Sequence, residues 1–358
     1  MNEQTQSPAQ RILFALTPVL IALFFTAVII IAVGQSPIDV FNTFISGAFG
    51  SSSKIADTFV IWVSLAIVSA GLLVTFRAGQ WNIGVEGQVV MGAIGAVGMS
   101  RLLLDTPGII AIPLMLIGGT ILGAIWGVLV GLLKIYGGVN EIFGGLATNF
   151  VASGLTIYLV AGPWKPEGSS SVSTSELLPR TLWLPTLEGL RISVYSIILA
   201  ILVVVAIYFA LRGTVWGLQL KAVGRNVRGA AMLGVPTNRI LMSAYIVCGL
   251  CAGLVGGLLV TGVRHQLVTN ISSGYGFLGI LIVLLTGFRG ALIAPIAFFF
   301  AVLGIGSVPL QLRLGLDSAL GGVLQGVIVL SFELVQGWRQ RAQERRGLET
   351  AVATEGGD

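Results

Sequence analysis

The chain has 358 residues, 55% of them hydrophobic and only 10% charged, and its mean hydropathy is +0.95. Soluble domains carry about 25% charged residues, so a water-soluble globular enzyme is excluded. The net charge of +5 does not mark a nucleic-acid binder. The basic residues are scattered at the ends of apolar blocks, and no basic face is interleaved with aromatics.

Residues 1–10 are hydrophilic, and an apolar run over 12–33 follows. That run is too long for a signal-peptide core and has no A-x-A-like cleavage site, so it is expected to remain as the first spanning helix. Further apolar blocks occupy 59–76, 88–104, 109–133, 143–160, 192–211, 241–263, 277–288, 292–308 and 319–335. A spanning helix needs about 20 apolar residues, so block 277–288 is too short to cross alone and predicts a half-helix or a broken one. The expected fold is an all-α polytopic membrane protein of about ten transmembrane helices. The domain plan is a membrane region over 1–338, with halves at about 12–162 and 192–338, and a polar cytoplasmic tail over 339–358. With both termini cytoplasmic, 13 of the 20 basic residues fall inside and 7 outside, which is the direction of the positive-inside bias. This orientation turns the Pro/Ser/Gly-rich connection 163–191 outward and the basic connection 212–239 toward the cytoplasm.

The two halves echo each other. Gly71-Leu-Leu-Val-Thr75 recurs as Gly257-Leu-Leu-Val-Thr261, followed by Asn82-Ile83 in one half and Asn270-Ile271 in the other. Gly138-Val-Asn-Glu-Ile-Phe-Gly-Gly145 parallels Gly315-Leu-Asp-Ser-Ala-Leu-Gly-Gly322. Five helices per half is an odd number, so the repeats are expected to be inverted, a transporter signature with the solute path near their interface.

Polar residues near the apolar zone mark the candidate path. The stretch 76–88, Phe-Arg-Ala-Gly-Gln-Trp-Asn-Ile-Gly-Val-Glu-Gly-Gln, brings Asn82 and Glu86 beside the bilayer core, interleaved with glycines. Such groups are costly unless they face a cavity or each other, and irregular backbone survives there only where it is buried in protein or lines a cavity. Asn140, Glu141 and Asn149 form a second group; positions 141 and 149 share nearly one helical face. Asn270 and Asp317 are the counterparts in the second half. Cys248 and Cys251 have no second pair and no nearby histidine to complete a metal site, and are read as inert helix packing. His265, the only histidine, is read as a packed or solvated residue at the outer end of a helix.

The basic connection holds a helix-compatible stretch with small residues, in which Gly224, Asn226, Ala230, Ala231 and Gly234 stand out. A short amphipathic helix there suits docking into a groove of a soluble partner. No Gly-Lys pair occurs in the chain, so no P-loop of the usual type exists and the chain lacks a nucleotide motor of its own. No H-E-x-x-H or G-x-S-x-G motif occurs either.

On the 76–88 stretch, the pattern Leu-Arg-x4-Gly-x2-Leu-Lys-Ala-Val-Gly-x-Asn over 211–226, and the Ala-Ala-x-x-Gly-Val that follows, the chain resembles the permeases of the branched-chain amino acid, ribose and nucleoside class of ATP-binding-cassette importers. The Gly-Val-Asn-Glu-Ile stretch and the Gly162-Pro-Trp-Lys-Pro166 insertion look most like the longer of two paired nucleoside permeases. The likeness runs over about 12–338. Departures fall at Gly144, Gly145 and Ala147, where relatives carry Thr or Ser and Met or Leu, and at Gly229, where acidic residues or alanine are commoner. The resemblance implies a cell-membrane (inner-membrane) importer subunit for a nucleoside or simple sugar. Its implied partners are an ATPase subunit that uses the ATP, a second paralogous permease subunit, an external solute-binding lipoprotein and membrane lipid, with no nucleic acid and no cofactor in this chain. An ion-coupled secondary transporter of a small polar solute is the rival reading.

Overall fold

The computed structural model describes residues 21, 24–166, 168, 173–315 and scattered positions from 322 to 341. They form helices α1 (Phe24–Ala32), α2 (Pro37–Phe49), α3 (Ser52–Arg77), α4 (Val85–Leu102), α5 (Gly108–Ile135), α6 (Glu141–Ala161), α7 (Val194–Gly213), α8 (Val215–Arg225), α9 (Val227–Met232), α10 (Thr237–Leu259), α11 (Tyr275–Leu285) and α12 (Ile293–Leu314). No strand is present among the described residues; a single isolated bridge joins Thr174 and Val268. Six helical segments are long and apolar enough to cross a membrane, and α1 with α2, bent by 105°, makes a seventh if the pair is one span.

Eight of the ten predicted blocks coincide with helices. Block 88–104 lies in α4, which starts earlier, at Val85. Block 277–288 is the 11-residue α11, short as its length required. Half of block 12–33 lies outside the described residues and the rest carries α1, while the described positions of block 319–335 are helical; Asp317 and nearly all of the 339–358 tail lie outside the described residues. Helix α2 was not anticipated, although its start carries a sequence signal: Ser36 caps it, Pro37 follows and Asp39 sits in the first turn.

The described residues fall into two compact units, those within 1–50 and 302–358, and those within 51–301. In the smaller unit Ile30, Val40, Phe44 and Leu310 make an apolar cluster. In the larger one α3 and α10 are the inner helices, with most of their apolar windows buried. Helix α7 buries only Ala200 and Leu211 and leaves Leu202, Val205 and Phe209 exposed, as a lipid-facing helix does.

Lipid tails are as apolar as leucine, so burial alone does not drive helices together in a membrane; close backbone packing does. Glycine supplies it here. A Cβ built at Gly92 of α4 would lie 2.3 Å from the Gly253 carbonyl oxygen of α10, and one at Gly123 of α5 would lie 2.4 Å from Gly253 Cα. At Gly256 it would stand 2.1 Å from the Val89 carbonyl oxygen. Helices α4, α5 and α10 therefore touch backbone to backbone, and the glycines sit at small-xxx-small spacing.

At its far end α10 runs into a π-helical turn, Val260–Arg264. The connection after α6 pairs with the residues around that turn. Ser175 N–H donates to Leu267 O (2.8 Å), Leu178 N–H to His265 O (2.8 Å) and Leu184 N–H to Thr261 O (2.9 Å). His265, with a left-handed φ of 55°, stacks on Trp183 at 3.7 Å and 6°. The histidine is a packing element that ties the connection to the helix end.

If the glycine contact sets the bundle, Gly253→Leu should lower the melting temperature of the detergent-purified chain by an amount matching about 1–3 kcal/mol of overpacking. Gly154→Leu, at a glycine with nothing within 4 Å, should leave it nearly unchanged. Equal effects of the two variants would contradict this packing.

Candidate functional site

Helix α3 ends at Arg77, and Gly79 in the left-handed region (φ 73°) turns the chain. Residues 78–84 then run without helix before α4 begins. Such a break leaves backbone groups that need partners at depth. Asn149 of α6 provides two of them: its Nδ2 donates to Ile83 O (2.9 Å) and its Oδ1 accepts from Gly87 N–H (2.8 Å). Asn82 and Gln88, both fully buried, exchange amide hydrogen bonds of 3.2 and 3.3 Å. Asn82 also donates to the Cys248 sulfur at 3.1 Å. The cysteine is thus packed inertly, with one polar contact beyond plain packing.

Glu86 is 9% exposed and sits in the first turn of α4. Its carboxylate reaches the start of the half-helix α11. Oε1 accepts from Gly274 N–H (3.0 Å) and Oε2 from Gly276 N–H (2.7 Å). A helix start presents unpaired N–H groups and a positive dipole end, so it is where a buried carboxylate is most cheaply held. The approach requires glycine at 276, because a Cβ there would lie 2.5 Å from Glu86 Oε2. Glu86 lies four residues after Asn82, and Gly274 lies four residues after Asn270. The matching positions of the two Asn-Ile segments therefore meet.

Asn82, Glu86 and Asn149 are thereby gathered around one junction, together with Gln88, Gly274 and Gly276. Asn270 is nearby in sequence but exposed, in the turn before α11. Asn140 and Glu141 belong to a different place, the start of α6. Asn140 caps that helix through Ile142 N–H at 2.9 Å, and Glu141 is ion-paired with Lys134 at the end of α5. The glycine at 145 has a local cause: a Cβ there would be 2.7 Å from Gly84 N, inside the broken segment. Gly144 is less constrained, with Val139 Cγ1 at 3.1 Å from such a Cβ. Sequence reasoning passed over Gly274 and Gly276, and the Glu86–Gly274 register of the repeat was the signal that could have found them.

The residues expected to couple to a partner lie in a second place, at the end of α8 and along α9. Asn226 caps the short α9, its Oδ1 accepting from Gly229 N–H at 2.9 Å. Ala230 is 3% exposed, whereas Ala231 faces outward. Met232 and Leu233 are 88% and 83% exposed, a contiguous display of apolar surface of the kind that marks an interaction site. Gly234, with φ 79°, ends the segment. Gly224 at the end of α8 lies on the break after α3: a Cβ there would be 2.2 Å from Arg77 O.

The two carboxylates should behave differently. Glu86→Gln puts an amide NH2 against an N–H donor and is expected to cost about 1–3 kcal/mol, lowering the melting temperature of the purified chain. Glu141→Gln loses one partly exposed ion pair near the surface, worth about 1 kcal/mol, and should leave the chain nearly as stable as the parent. The reverse order would contradict the assigned contacts.

The family model for the branched-chain amino acid transport system permease component matches residues 53–332. A glucose ABC transporter permease of Haloferax volcanii is 27% identical over 95% of this chain and 93% of its own length. A guanosine ABC transporter permease of Bacillus subtilis is 27% identical over 89% of this chain and 92% of its own. A nucleoside ABC transporter permease of Lactococcus lactis is 26% identical over 86% and 85%. With its apolar helices and the broken, polar-lined junction between them, the chain belongs to the branched-chain amino acid transport system permease component family, as a multi-pass cell-membrane permease subunit of an ATP-binding-cassette importer.

Proposed function

We propose that the chain carries a nucleoside across the membrane. It would work with an ATPase subunit that hydrolyses the ATP, a second, paralogous permease subunit and an external solute-binding lipoprotein. Two of the relatives are named for guanosine and for nucleosides, which supports the solute. A simple sugar is the second reading, because the Haloferax relative is named for glucose.

The observation that carries the mechanism is the backbone contact between Gly224 and Arg77. A partner that docks on Ala231, Met232 and Leu233 would push on α8 and α9. Through Gly224 that push falls on the break after α3, and through residues 78–84 it reaches Glu86 and the start of α11. Asn82, Glu86 and Asn149 then frame the path by holding its backbone in shape. Asn270, whose side chain is exposed, is available to solute, and Asn140 and Glu141 stand at one mouth. Asp317 belongs to this set by the repeat. The contact between Glu86 and Gly274, equivalent positions of the two Asn-Ile segments, supports a repeat whose halves meet at this junction; the inversion itself rests on the odd number of helices expected per half.

The ion-coupled alternative needs acids free to bind a proton or sodium. Glu86 is occupied by backbone N–H groups and Glu141 by Lys134, which disfavours it.

Uptake of labelled guanosine by cells making the whole system should stop when the partner ATPase is inactivated with the proton and sodium gradients intact. Excess unlabelled nucleoside should compete, and glucose should not. Ala231→Trp should reduce uptake by about tenfold, the scale of losing about 1.4 kcal/mol of docking energy, with normal membrane insertion. Gradient-driven uptake by this chain alone would overturn the reading.

A further inference from the structure

Four basic side chains converge on one cavity without an acid to balance them. The cavity measures about 280 Å³, and Arg77, Arg212, Lys221 and Arg289 line it on walls that include Leu73 and Leu211. The only salt bridge among the described residues joins Lys134 and Glu141, elsewhere. The four cations come from four places: the end of α3, the end of α7, the middle of α8 and the turn before α12.

Two of them are held in place. Arg77 Nη2 donates to Phe288 O at 2.6 Å. Arg212 bonds to the Tyr208 hydroxyl and lies over the Tyr208 ring at 5.2 Å. The turn that presents Arg289 is built with Gly287 and Phe288 both at positive φ, 56° and 62°. A bulky residue in that region is strained and persists where its surroundings fix it; here Phe288 stacks on Phe76 at 5.7 Å. Four like charges around one space repel each other, and a bound anion would relieve them.

The position of the cavity indicates which anion. Helix α7 has 20 residues, about 30 Å at 1.5 Å per residue, the thickness of the hydrocarbon core. Arg212 is in its last turn, below the exposed Leu202, Val205 and Phe209. The cations thus sit at the depth of lipid headgroups, at the end of a lipid-facing helix, on the side that the charge bias assigns to the cytoplasm. The apolar walls at Leu73 and Leu211 suit the glycerol end of a lipid and have no use for a free ion. We propose that this cavity binds the phosphate headgroup of an anionic phospholipid of the inner leaflet, bracing α3, α7, α8 and the α11–α12 turn beside the coupling segment. The inference rests on the chain spanning the membrane and is independent of the solute it carries.

The test uses the full chain in nanodiscs of phosphatidylcholine and phosphatidylglycerol in equal parts, released into mild detergent for native mass spectrometry. The parent chain should retain phosphatidylglycerol in preference to phosphatidylcholine. Arg212→Gln with Lys221→Gln should reduce that retention by about tenfold or more. Arg228→Gln with Arg239→Gln removes the same charge outside the cavity and should not. Lys221→Gln alone, at a partly exposed site, serves if the double variant does not fold, and should reduce retention to a lesser degree. Equal retention in parent and cavity variants would overturn the proposal, as would an equal loss in the control pair. Displacement of the lipid by inorganic phosphate alone would overturn it too, by showing a site for the free ion.

Discussion

The junction depends on one carboxylate held by the N–H groups of a half-helix. Glu86 would be costly at its depth if it stood alone, because an ionised group in a low-dielectric interior loses its hydration. It is stabilised because α11 begins beside it, with Gly274 and Gly276 presenting their amides. The dependence is mutual. An 11-residue helix cannot cross a bilayer, so its start lies inside protein, where unpaired N–H groups need an acceptor. Glu86 is that acceptor, and it comes from the other half of the chain. The broken segment 78–84 and the half-helix α11 are two irregularities that satisfy each other.

Glycine makes this arrangement possible at three scales. At Gly276 it lets a carboxylate reach the backbone, at Gly145 it lets α6 approach the broken segment, and along α4, α5 and α10 it lets whole helices touch. The composition displays this as 49 glycines. A soluble protein with so many would lose helix stability to backbone entropy. In lipid, where unsatisfied backbone is far more costly, the helices hold and the small residues become contact surface.

Much of this was legible in the sequence, and the unreadable part has a physical reason. The apolar blocks marked eight described helices because span length is fixed by bilayer thickness. The shortness of block 277–288 announced α11, and the cost of polar groups at depth singled out Asn82, Glu86 and Asn149. Which groups would satisfy which could not be read: Glu86 meets its partners 188 and 190 residues away in the chain, and Asn82 meets Cys248 at a separation of 166. No local pattern encodes such a pairing. Two signals were local and still missed. Lys134 and Glu141 flank one turn and pair across it, and Ser36-Pro37-x-Asp39 announces α2. Both are turn and cap features, which hydropathy does not register.

The account makes the Glu86 carboxylate the acceptor for the start of α11, and amide hydrogen exchange reads those donors directly. In the purified chain the amides of Gly274 and Gly276 should exchange slowly. In Glu86→Gln they should exchange much faster, while amides in the middle of α3 and α10 keep their parent rates. Unchanged protection at 274 and 276 in that variant would mean that the half-helix is held by something else, and would contradict the central claim.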